Sequence, residues 1–154
     1  MKKIIRHPIT NALCIGLFSL FYAIIFFWTV HSDAFKAELL YATDIKGSSF
    51  LENWSKILFE GQHMVLAYIL LVVTVVIIIL LLIRKKPYDE YQINILVNCL
   101  LIALSLILIV IALFFLFVIT NPTNIVEKFM CFISIHWITV VFADLFYITL
   151  SCRK

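Results

Sequence analysis

Charge is what this sequence has least of. Charged residues are 14% of its 154, against about 25% in ordinary soluble domains. Hydrophobic residues make up 64%, and the mean hydropathy is +1.12. A water-soluble chain of this size could not hide so much apolar surface. The soluble globular class is therefore excluded, and an integral membrane protein is left. One domain covering 1–154 is the default at this length. The net charge of +3 is too small to point to a nucleic-acid partner.

Paired cysteines are also missing. Cys14, Cys99, Cys131 and Cys152 form no Cys-x-x-Cys, and each lies in or beside an apolar run. The usual spacing of a zinc site or a dithiol redox centre is excluded, and the four read as small apolar packing residues. There is no phosphate-binding glycine loop, nucleotide fingerprint or catalytic serine or cysteine motif. Nor is there an internal repeat of the kind many transporters carry. No cofactor is indicated, and enzymatic activity is not favoured.

What is present is four long apolar runs: 8–30, 64–83, 93–119 and 129–150. A bilayer core of about 30 Å takes about 20 residues of helix. In lipid every backbone donor and acceptor must be satisfied within the segment or in a closed barrel. Barrel strands would be shorter and would alternate apolar with polar residues. The expected architecture is an all-α bundle of four transmembrane helices. Pro8 suits a first helical turn, Gly61 precedes the second span, and Asn121-Pro122-Thr123-Asn124 makes a turn before the fourth. Asp89 and Glu90 favour the start of the third helix through its dipole.

Basic residues give a direction. Lys2, Lys3 and Arg6 precede the first span, Arg84, Lys85 and Lys86 follow the second, and Arg153 and Lys154 close the chain. On the other side Lys36, Lys46, Lys56 and Lys128 are outnumbered by Asp33, Glu38, Asp44, Glu52, Glu60 and Glu127. The positive-inside rule then places both termini in the cytoplasm and 31–62 outside the cell membrane. A cleaved secretory signal is the competing view of the first run, with Ser32-Asp33-Ala34 as the site. The run from Pro8 to Val30 is longer than the roughly 7–15 residues of a signal core.

The 31–62 loop contains Ser49-Phe50-Leu51-Glu52, which has capping-box spacing. Leu51, Trp54 and Leu58 then recur at helical spacing, with Glu52, Asn53, Ser55 and Lys56 between them. This predicts a short amphipathic helix on the outer surface, Trp54 at headgroup level, serving as a lid or partner-binding element or as a linker resting on lipid or on the bundle.

The informative polar residues lie inside the spans. In the fourth, His136, Thr139, Ala143, Tyr147 and Ser151 share a face with Asp144 at its edge, and Trp137, Val141, Leu145 and Ile148 lie opposite, toward lipid. In the third, Tyr91, Asn94, Asn98 and Ser105 align. In the second, His63, Ala67 and Thr74 do. In the first, Ala12, Gly16, Ser19 and Ala23 form a small-residue stripe that lets helices approach closely. An ionised aspartate in hydrocarbon costs at least about 2.5–3.5 kcal/mol, so Asp144 must face the interior, take up a proton or find donors.

At about 1.5 Å per residue, Asp144 is roughly 13 Å from Arg153, and Asn98 is at a similar depth. Asn98 is thus the expected donor, with Tyr147 a second where local geometry allows, and Asn11 and Cys14 reach the same layer. His136 is midway, level with Tyr22, Thr74 and Ser105. The expected intramembrane cluster is Asp144, Asn98, His136, Tyr147 and Ser105, acting as structural glue or as a proton or cation site. His31 and His63 flank the outer loop, where a surface metal is conceivable. A haem held by His63 and His136 would need ligands at matched depth, and these differ by roughly 10–12 Å.

Three functional readings follow. The chain is a non-enzymatic membrane protein acting through partners, as an accessory, sensor or immunity-type subunit. Alternatively it is a small oligomeric channel or transporter using Asp144, His136 and Asn98. The third is a membrane redox or haem protein. Expected partners are the lipid bilayer and either further copies of the chain or another membrane protein.

Overall fold

The computed structural model describes residues 7–43, 49–83, 87–120, 122 and 124–151. The three basic clusters, and Asn121 and Thr123 of the expected turn, lie outside the described residues. Six helices follow in order: α1 (Pro8–His31), α2 (Asp33–Thr43), α3 (Ser49–Phe59), α4 (His63–Ile83), α5 (Glu90–Thr120) and α6 (Ile125–Ser151). Four of them, α1, α4, α5 and α6, are long and apolar enough to cross a membrane. The shortest, α4, has 21 residues, about 31 Å at helical rise. The protein is a small multi-pass membrane protein of all-helical architecture, and each span reaches at most four residues past its expected bounds.

Local chemistry fixes the helix ends. Pro8 occupies the first turn of α1, where its missing N–H costs no bond. Ser32 accepts the Phe35 N–H and starts α2. α3 ends in a Schellman turn: Gly61 takes φ +72°, its N–H bonds to the Leu58 carbonyl, and Gln62 N–H reaches Ile57. Before α5, Gln92 N–H donates to Asp89 Oδ1 at 2.7 Å and Asp89 N–H to Gln92 Oε1 at 3.3 Å. That reciprocal box caps α5 through hydrogen bonds as well as through the helix dipole. Asn124 enters α6 at φ 56°, a left-handed conformation that asparagine tolerates.

α6 is the centre of the bundle. It packs against α1 and α4 on one side and α5 on another, with α2 and α3 at its first turns. α1 and α4 pair closely. Ala12, Ser19 and Ala23 are buried there, and a Cβ on Gly16 would lie 3.4 Å from Ile78 Cδ1. Among the described residues, α5 makes substantial contact with α6 alone. Of its most apolar stretch 6% is buried, against 28% to 39% for the other three spans.

The short helices rest on the bundle. Trp54 Nε1 donates to the Glu127 carbonyl at 3.0 Å, and Leu58 is buried, so α3 is docked on the start of α6. Sequence reasoning did not predict α2, although Phe35, Leu39 and Ala42 recur at helical spacing; Leu39 is fully buried. Glu127 and Lys128, counted above with the outer charges, have buried side chains. Lys128 Nζ donates to the Phe117 carbonyl in the last turns of α5, where the helix dipole favours a cation.

Candidate functional site

Three polar ties cross the interior, each joining α6 or α4 to α1. In the layer of Asp144, Asn11 Nδ2 donates to Asp144 Oδ1 at 3.0 Å. Asp144 is 5% exposed. Asn11, one of the two first-span residues placed in this layer by depth, takes the role expected of Asn98. Asn98 is on the outward side of α5. The short α5–α6 connection did make those helices neighbours, but the rotation of α5 about its axis turns the amide away.

Near the middle of α6, Tyr22 Oη lies 2.6 Å from His136 Nδ1. The imidazole also stacks on Phe132, and Phe132 meets Phe114 of α5. Of the three residues expected at this level, Tyr22 reaches the histidine. Thr74 is engaged elsewhere, and Ser105 is exposed and bonds the Leu101 carbonyl of its own helix.

The third tie joins α6, α1 and α4. Trp137 Nε1 is 3.2 Å from Ser19 Oγ, Ser19 Oγ is 3.0 Å from Thr74 Oγ1, and Thr74 Oγ1 donates to the Leu70 carbonyl at 2.8 Å. Its polarity follows from the ends. An indole N–H can only donate and a carbonyl can only accept. Ser19 therefore accepts from Trp137 and gives its own proton to Thr74. Sequence reasoning placed Ser19 only in the small-residue stripe. A hydroxyl within such a stripe, facing a threonine on another span, was the available signal.

Trp137 corrects the expected orientation of α6. It is fully buried, stacks on Tyr22 and meets Phe26 edge-on, and Val141 and Ile148 are buried with it. The face expected to meet lipid is the face that meets α1 and α4. Apolar side chains suit lipid and a protein interior equally, so hydropathy alone does not separate the two.

The remaining residues are scattered around these ties. Tyr147 is fully buried with its ring edge-on to Tyr88 at 5.4 Å. His31 is exposed and Nδ1 contacts the Phe27 carbonyl. His63 is buried against Phe26, so the two histidines have unlike surroundings. No group of three or more His, Cys, Asp or Glu able to hold a metal occurs among the described residues. Cys14 is exposed, while Cys99 and Cys131 are half-buried, so these three thiols are not the core residues expected. Cys131 and Cys99 line separate apolar clefts between α5 and α6, of about 270 and 410 Å³, and Asp144 lines neither.

Comparison with protein-family models, curated proteins and solved structures gives no match for this chain.

Proposed function

We propose that this chain is a non-enzymatic membrane subunit that works by contact with other membrane proteins, with both termini in the cytoplasm and 31–62 outside. The observation that carries the reading is a division of labour. Asn11, Ser19 and Tyr22 of α1, Thr74 of α4 and His136, Trp137 and Asp144 of α6 are engaged in helix–helix ties, whereas α5 leaves most of its surface outside the bundle. Asp144 and His136 act in this reading as glue that sets helix order. A polar side chain in lipid needs a partner, and Asn11 and Tyr22 provide them. The distribution of basic residues supports the orientation.

The test is a photo-crosslinking side chain at Leu101 of α5, in cells, with Val72 of α4 as control; both are exposed. Leu101 is expected to capture protein and Val72 lipid. Lipid adducts alone at both positions would reject the reading. Ion flux in liposomes that depends on Asp144 would replace it with a transporter.

A further inference from the structure

The outward side of α5 is patterned. Taking Ala103, which is buried against α6, as the inward mark, the residues on the opposite side recur at alternating steps of three and four. Asn98, Ser105 and Ala112 occupy one position of this heptad, and Leu101, Leu108 and Phe115 the other. All six are exposed. Small or polar residues at one position and bulky ones at the next let two helices approach and interlock at a shallow angle.

Asn98 makes this more than a lipid-facing surface. It is eight residues into α5, about 12 Å from Glu90, and it faces away from the bundle. Among the described residues its amide has no hydrogen-bond partner. An amide left unpaired in hydrocarbon is costly. A carboxamide carries both donors and an acceptor, so it is complementary to itself. Two copies related by a two-fold axis along the membrane normal hold identical residues at identical depth. Each Asn98 then meets the other, and Asn94, one turn earlier and also exposed, extends the same seam.

We infer that the chain pairs with a second copy of itself through parallel α5 helices, with Asn98 bonded to Asn98 across the axis. The inference rests on the partner-contact reading above and names the partner.

The experiment uses the full chain in its native membrane, with Cys14, Cys99, Cys131 and Cys152 replaced by alanine. Leu101→Cys is expected to form an oxidant-induced disulfide species of twice the chain mass, and Val72→Cys is not. Adding Asn98→Leu should lower that dimer fraction about threefold or more, the factor one average interhelical hydrogen bond supplies. Asn98→Gln, which keeps the amide, should retain most of it. No linkage at Leu101 above the Val72 control overturns the inference, as does a dimer indifferent to Asn98→Leu. If the photo-crosslinker at Leu101 captures a different protein, self-pairing falls and the broader reading stands. If it captures lipid only, both fall.

Discussion

Asn11 and Asp144 lie 133 positions apart in the chain and meet across the bundle, with 3.0 Å between Nδ2 and Oδ1. The bond fixes the first span against the last at one depth. Its removal should be asymmetric, because the harm lies in what remains buried. Asn11→Leu strands a buried carboxyl group, at a cost of about 1–3 kcal/mol or more. Replacing both residues by leucine should recover much of the loss, and Asp144→Asn should be mild because an acceptor oxygen is retained. Unfolding midpoints of the purified variants check this. An Asn11→Leu protein as stable as the parent would show that the tie contributes nothing.

Tyr22→Phe removes the hydroxyl that faces His136 Nδ1 and leaves the ring stacked on Trp137. The expected loss is about 0.6 kcal/mol, the average for interhelical hydrogen bonds in membranes, and at most about 1.7 kcal/mol. Thr139→Val is the comparison, since among the described residues the Thr139 hydroxyl bonds the Ile135 carbonyl of its own helix. It should cost less than Tyr22→Phe in the same unfolding assay. Equal effects would deny the tyrosine a role in joining helices.

At Gly16 the prediction is graded by size. A methyl group would meet Ile78 Cδ1 at 3.4 Å, the near edge of ordinary contact, so Gly16→Ala should fold with little loss. Gly16→Leu must push α1 from α4 and should cost about 1–3 kcal/mol, as overpacking usually does. Because Ser19 lies one turn from Gly16 and bonds Trp137, the tryptophan emission of Gly16→Leu should change. Unchanged emission and stability would mean that α1 and α4 are not held this closely.

Much of the fold was legible before any coordinates, and the reason is the solvent. Lipid demands long apolar helices, so hydropathy located all four spans, and Gly61 and Asp89 marked the turns around them. The same physics made Asp144 and His136 conspicuous, and counting helical rise put Asn11 and Tyr22 at the right depths. What depth cannot supply is rotation. Asn98 matched Asp144 in level, yet α5 turns it outward, and Trp137 looked lipid-facing because a bilayer and a protein core accept the same side chains. The docking of α3 through Trp54 was equally hidden, since an indole at a membrane surface looks alike whether it meets headgroups or the Glu127 carbonyl.

The orientation proposal is open to direct labelling. Asn53 on α3 and Pro87 before α5 are both exposed and belong to opposite ends of the spans. With the native cysteines replaced, Asn53→Cys should react with a membrane-impermeant maleimide on intact cells, and Pro87→Cys should react only after permeabilisation. The reverse pattern would invert the topology.

The spans also differ in how well each could stand alone. The most apolar stretches of α4 and α5 have a mean hydropathy of 3.4, against 2.1 in α1 and 1.9 in α6. α5 precedes in the chain the helix it packs against most, so during synthesis it enters the bilayer ahead of that neighbour, and its greasiness makes that wait affordable. α6, the least apolar of the four, follows the other three. By then Asn11, Tyr22 and Ser19 are already in place, and the segment that most needs company is the one for which company has been prepared.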